Sequence, residues 1–127
     1  MQERTLRLDS VELGKYKYYK FTLLEEESTG ISNITFEINP HHGDGDLIVS
    51  RNETFPNRDL FEKKSSRVGS LVDHVTYSLG EDNSTLATTY YIAIYGYTYC
   101  TFSIHVIVNR TGHDELEAAY SQSLLLY

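Results

Sequence analysis

The chain predicts an all-β fold, a jelly-roll-like antiparallel β-sandwich with either a short C-terminal helix or an exchanged strand at its end. Three observations carry this expectation. Apolar and polar residues alternate with a period of two in segment after segment, the pattern of half-buried strands. Glycine, proline and acidic clusters punctuate those segments at short intervals. Helical spacing is confined to the last stretch, where Leu116, Ala119, Tyr120, Leu124 and Tyr127 recur. Seven or eight short strands with turns between them and almost no helix lead to a sandwich of the jelly-roll or Greek-key kind.

The strongest strand signal runs from Thr88 to Tyr97 and on from Cys100 to Val108. Tyrosines and β-branched residues dominate it, and they fit a pleated, half-buried surface. Phe102, Ile104, Val106 and Val108 share one parity, while Thr101, Ser103 and His105 take the other. In the preceding strand both parities are apolar, as expected of a strand covered on both faces by a loop or a neighbour. Tyr97-Thr98-Tyr99 reads as a tight turn, so the expectation is a hairpin at the centre of one sheet.

The remaining elements follow in order. Thr5 to Asp9 is a short alternating segment suited to an edge. Tyr16 to Leu24 turns Tyr19, Phe21 and Leu23 inward. Ile31 to Asn39 turns Ile34, Phe36 and Ile38 inward, and Pro40 is expected to end it, because proline cannot donate to a ladder. Leu47 to Ser50 is a short strand after the turn His41 to Asp46. Residues 51–68 form the long connection. Val72 to Leu79 is a strand with Val75, Tyr77 and Leu79 inward. Asp114-Glu-Leu-Glu117 has the form of a helix N-cap. The alternative for the end of the chain is an extended segment that pairs with another chain's sheet edge.

A chain of 127 residues with 40% hydrophobic composition is one folded domain, here residues 1–112 followed by a C-terminal segment, 113–127. The net charge of -7 argues against nucleic acid and against an anionic membrane surface as partners, since both select for an excess of Lys and Arg. No apolar run is long enough to form a transmembrane helix. Met1-Gln-Glu-Arg4 is not a signal peptide, so a secreted form has lost its leader or belongs to a longer chain. Cys100 is the only cysteine, which excludes an internal disulfide. Its parity points it inward, as an inert thiol or as a bridge to another chain.

Four N-x-Ser/Thr sequons are the most informative signal. They begin at Asn33, Asn52, Asn83 and Asn109. With six asparagines in the chain and roughly one residue in five Ser or Thr, chance gives about one sequon. Asn33 and Asn109 take outward parity, and Asn52 and Asn83 lie in polar connections. All four can carry N-linked glycans without disturbing a core. The expected location is therefore extracellular or on the cell surface, reached through a eukaryotic secretory pathway.

Candidate chemistry is sparse. Asp44 and Asp46, on a Gly-rich turn beside His41 and His42, are the densest group of possible ligands. Carboxylates on such a turn suit calcium, although the spacing is not that of an EF-hand. Zinc would need two more ligands, and adjacent histidines on an extended chain point opposite ways. No nucleophile elbow, H-E-x-x-H or P-loop is present, so the chain is expected to be no enzyme. Tyr16, Tyr18, Tyr91, Tyr95 and Tyr97 form a candidate binding face, since tyrosine offers an apolar body and a polar tip. A covering loop, a glycan or the C-terminal segment is the alternative use of that face. Leu124, Leu125, Leu126 and Tyr127 make an apolar ending suited to assembly with neighbours.

Tyr19-Lys-Phe21, Ile34-Thr-Phe36, Gly43-Asp-Gly-Asp-Leu-Ile-Val-Ser50, Pro56, Tyr90-Tyr-Ile-Ala-Ile-Tyr-Gly-Tyr97 and Phe102-Ser-Ile104 are similar to the pattern of bacterial pre-peptidase C-terminal (PPC) domains. That family includes the collagen-binding domains of clostridial collagenases. The resemblance runs from about Tyr18 to Val108. It implies a jelly-roll-like sandwich without catalytic activity, appended to extracellular proteins. Such modules bind matrix, carbohydrate or neighbouring domains, some with calcium, and the resemblance puts that calcium at Asp44 and Asp46. The four sequons and the apolar ending lie outside the bacterial pattern.

Together these readings predict a glycosylated extracellular β-sandwich that acts as a structural or adhesive subunit of a surface assembly or fibre, its partners being copies of itself or neighbouring domains. The alternative is a calcium-assisted module that binds carbohydrate or matrix protein.

Overall fold

The computed structural model describes residues 2–66, 72–79, 86–110 and 125–126. Among these, the strands are β1 (Gln2–Val11), β2 (Tyr16–Thr22), β3 (Ile31–His42), β4 (Gly45–Ser50), β5 (Lys63–Ser65), β6 (Asp73–Ser78), β7 (Thr89–Gly96), β8 (Cys100–Arg110) and β9 (Leu125–Leu126), with one 3-10 turn at Glu25–Glu27. They form two antiparallel sheets, β1-β8-β3-β6 and β5-β4-β7-β2-β9.

The order is that of a jelly roll. β1 pairs with β8, β2 with β7, β3 with β6 and β4 with β5, as in one long hairpin rolled over on itself. The roll is closed by β3 against β8 and by β4 against β7. The all-β sandwich expected from the alternation is therefore present. β1 is an edge strand, as the short segment around Thr5 suggested.

Two expectations about how the strands pair and end are corrected. β7 and β8 do not form a hairpin; they lie in different sheets, and residues 97–99 carry the chain from one to the other. Each strand turns an apolar row toward the other across the core, so the pair faces instead of pairing edge to edge. Pro40 does not end β3, which continues to His42. Pairing with β6 stops at Ile38, and a register shift against β8 lies between Pro40 and His42. A proline is tolerated at such an irregularity, where one ladder has already ended.

The core lies between the sheets. Tyr19, Phe21, Ile34, Phe36, Leu47, Val49, Tyr77, Tyr90, Ile92, Phe102 and Ile104 are all buried there. Phe36 meets Phe21, Tyr77 and Tyr90 with ring centroids 5.2 to 6.2 Å apart. Buried phenols need partners, and these have them. Tyr19 donates to Asp9, Tyr77 to Glu62 Oε1 at 3.0 Å, and Tyr90 to the Leu86 carbonyl at 2.6 Å. Leu79, which parity turns inward, is instead 49% exposed just past the end of β6.

The second sheet is covered on its outer side as well. Ile48 and Ala93 have outward parity yet are fully buried. Residues 51–62 fold across them. Phe55 packs edge-on against Tyr18 at 5.2 Å, Pro56 is buried, and the Arg58 guanidinium lies 4.5 Å above the Tyr95 ring. This loop is clamped where it begins and ends. Glu62 accepts from the backbone amide and Nε of Arg51 through Oε1, and from Nη2 through Oε2, all at 3.0 Å.

Candidate functional site

Two turns meet at one end of the sandwich. Gly43, with φ at +82°, lets the chain reverse between β3 and β4. A Cβ there would fall 1.8 Å from the carbonyl oxygen of Tyr99, so the backbones of the two turns touch. The amides of Tyr97 and Thr98 donate to the Asp44 carbonyl at 3.0 and 3.2 Å, and Thr98 Oγ1 accepts from the Asp44 amide at 2.9 Å. Asp44 and Tyr97 are thus held together although they lie far apart in sequence.

Asp44, Asp46, Arg58, Ser66 and Tyr97 line a cleft of about 230 Å³ at this end. Arg58 also borders a shallower hollow of about 520 Å³ with Tyr16, Asp59, Lys64 and Tyr95. The Tyr97 ring is 57% exposed at the rim. Asp46 is only 6% exposed. Its carboxyl is pushed up to about 6, first by burial and then by Asp44 and Asp73, with Arg58 and Lys64 opposing the rise. Asp73 is buried at the start of β6, where it accepts from Ser65 Oγ at 3.0 Å. The arrangement offers acidic acceptors, a guanidinium donor and an aromatic ring on one concavity. Those are the parts needed to hold a polyhydroxylated ligand.

The candidate binding face is brought together in part. Tyr16 stacks on Tyr18 at 5.7 Å and tilts against Tyr95 at 5.0 Å. Loop 51–62 lies over this group, and the Arg58 amide donates to the Tyr16 hydroxyl at 3.2 Å. Tyr91 is opposite Lys20 and Ser50, farther along the same outer face. Tyr97 lies beyond the end of β7, in the cleft. The tyrosines therefore divide between a covered cluster and an open rim.

The calcium candidates Asp44 and Asp46 sit close together, but no group of three His, Cys, Asp or Glu among the described residues is arranged to hold a metal ion. Two carboxylates are fewer than the six to eight oxygen ligands that calcium takes. His41 and His42 are both exposed, and the His42 ring faces Tyr99 at 6.1 Å.

Cys100 is buried, and its thiol is pushed up to about 11 by burial and by Asp44, Asp46 and Asp73. His74 and His105 lie on the opposite, outer face of the first sheet, each across from Glu37. Neither faces the thiol. Of the sequon asparagines, Asn52 is exposed, and Asn33 and Asn109 are half-buried neighbours on that same outer face. Asn83 lies outside the described residues, as do Leu124, Tyr127 and the segment read as a helix. Leu125 and Leu126 are extended and pair with Lys20 and Tyr19 of the same chain.

No family model matches the chain, and no curated protein sequence does. Among solved structures, similar ones are the lipase BlEst2 of Bacillus licheniformis in its propeptide form, a mitogen derived from Yersinia pseudotuberculosis, and PliG of Aeromonas hydrophila, a periplasmic inhibitor of g-type lysozyme. Their TM-scores are 0.54, 0.56 and 0.54, with identities of 16%, 11% and 10%. The matches cover 85%, 91% and 84% of this chain, and 22%, 93% and 86% of the respective structures. The chain thus spans about a fifth of the lipase. At these identities the likeness is one of fold.

Sequence reasoning missed Arg58, Asp73 and the clamp of Arg51 and Glu62. Asp73 was within reach, since it shares parity with buried Val75 and Tyr77. Arg58 and Glu62 lie in a segment without periodicity, where no local pattern marks which side chain folds back.

Proposed function

We propose that the chain is a non-catalytic extracellular β-sandwich that binds carbohydrate at the cleft between the Asp44 and Tyr97 turns. The observation that carries this reading is the exposed Tyr97 ring standing beside Asp44, Asp46 and Arg58. An aromatic ring stacks on the apolar face of a sugar, carboxylates accept from its hydroxyls, and a guanidinium donates to its oxygens. The buried, proton-retaining thiol of Cys100 and the four sequons support the non-catalytic and secreted parts. The resemblance to PPC domains supports the same role. The test is titration of a glycan array and then of the best hit in solution. Tyr97→Ala is expected to remove binding while changing the unfolding free energy by no more than about 0.5 kcal/mol, as for a surface position. Unchanged affinity in that variant would overturn the reading.

A structural or adhesive subunit of a surface assembly is the second reading. It is favoured by the β9 position, a two-residue edge strand on β2, which is a slot that a second copy's ending would fill equally well. Light scattering across a concentration series, with and without residues 121–127, tests it. Assembly lost on truncation supports the subunit; a monomer at every concentration removes it.

A further inference from the structure

Asn33 and Asn109 are 76 residues apart in sequence and are Cα partners across the β3–β8 pair. Nδ2 of Asn109 donates to Oδ1 of Asn33 at 2.7 Å. Each asparagine opens a sequon. Side chains directly opposed on one sheet face have Cβ atoms only about 4.5–5.5 Å apart. A pyranose ring is itself about as wide as that gap, so two glycan stems rising from it would crowd each other.

We infer that the two sequons constitute a single glycosylation site, filled at Asn33 and closed at Asn109 by its neighbour. The inference rests on the secreted, glycosylated reading above. The hydrogen bond, which forms only after transfer, shows which of the two the closed sheet accommodates with a sugar. Asn33 contributes its oxygen and leaves Nδ2 for a sugar, whereas Asn109 uses Nδ2, the atom a glycan would need. The order of synthesis points the same way, because Asn33 emerges long before Asn109. β8 is flanked by β1 and β3, so a transferase reaches either asparagine only before the sheet forms. In the transfer, Asn33 Nδ2 attacks C1 of the first sugar of a lipid-pyrophosphate-linked oligosaccharide. The N–C1 bond forms, the C1–O bond to pyrophosphate breaks with its electron pair leaving on the lipid pyrophosphate, and Nδ2 gives up one proton. When β8 later adds to the sheet, a molecule with one stem closes around it; a molecule with two does not.

The test uses protein secreted from a glycosylating eukaryotic host. In an Asn52→Gln/Asn83→Gln background, intact mass counts the glycans on the pair and glycopeptide mapping locates them. One glycan per molecule, at Asn33, is expected. Adding Asn33→Gln should raise Asn109 occupancy from a trace to the majority of molecules, and adding Thr111→Ala should leave Asn33 filled. Molecules with two glycans overturn the inference, and so does an Asn109 left vacant when Asn33→Gln is secreted. The two-glycan count needs no variant of the pair, so it holds even if Asn33→Gln misfolds. In the unaltered chain, glycans at Asn52 with none on the pair defeat this inference alone. No glycan at any sequon defeats the secreted reading with it.

Discussion

Glu62 accepts three hydrogen bonds from Arg51, one from its backbone and two from its guanidinium, and a fourth from the Tyr77 hydroxyl. The Arg51 guanidinium in turn lies 4.6 Å over the Tyr77 ring. A loop that covers one sheet face is thereby tied to a residue of the opposite sheet.

Removing the charge should loosen that loop. The Glu62 carboxyl is held below its ordinary value, chiefly by the Arg51 hydrogen bonds against the opposing effect of burial. Hydrogen bonds to charged groups are each worth about 1.5–3 kcal/mol. Glu62→Gln is expected to lose about 2 kcal/mol in urea unfolding, with faster amide exchange at Arg51 and Glu62. A carboxylate with a depressed folded value stabilises the fold above its unfolded value and loses that contribution as the pH falls. The difference between wild type and variant should therefore shrink on acidification below 4.5, the ordinary glutamate value.

Asp46 should behave in the opposite sense. Its folded value of about 6 lies above 3.8, the ordinary aspartate value. Its contribution is fully present below about 4 and is lost as the pH rises through 6. A shift of this size corresponds to about 3 kcal/mol against folding at neutral pH. Asp46→Asn is expected to raise stability at pH 7 by roughly 1–3 kcal/mol and to flatten the stability profile between pH 4 and 6. It should also weaken sugar binding. A variant that is no more stable at pH 7 than wild type would contradict the crowding of the three carboxylates.

Glycine substitutions separate backbone strain from overlap. Gly14 and Gly43 both have positive φ, +74° and +82°. Around Gly14 a Cβ meets nothing within 4 Å, but at Gly43 it strikes Tyr99. Gly14→Ala should cost only the conformational penalty, about 1 kcal/mol. Gly43→Ala should cost clearly more and should abolish binding, because it separates Asp44 from Tyr97. Equal thermal shifts for the two would show that the turns do not touch.

Cys100 should resist alkylation. A buried thiol pushed up to about 11 is almost entirely protonated at pH 8, and the thiolate is the reactive form. Iodoacetamide labelling is expected only at the denaturant concentration that unfolds the chain.

Most of the sandwich was legible in the alternation of residues such as Phe102, Ile104 and Val106, because burial of one sheet face imposes period two whatever the partner strand. Parity also placed Cys100 inward and Asn33 outward. Which strands pair was not legible. β7 and β8 read as a hairpin because alternation records which side chains are buried and says nothing of which edge is bonded. Half of the cleft was visible, in Asp44, Asp46 and Tyr97. The other half depends on Arg58, whose position is set by Phe55 packing on Tyr18 and by a clamp on Glu62, contacts between residues far apart in sequence. The covering of Ile48 and Ala93 was foreshadowed only by the two-sided apolar character of the central strands.

The antiparallel register of β1 on β8 sets Gln2 opposite Asn109 and Val11 opposite Cys100. The outer ends of the two strands thus lie side by side. Tension applied between them loads their hydrogen bonds one rung after another, as in opening a zip, instead of shearing the whole ladder at once. Pulled from those ends, the module yields at low force and lengthens early. Were the chain a subunit of a fibre, the load would have to pass along another path, across the β2 edge, or use that early yielding as slack.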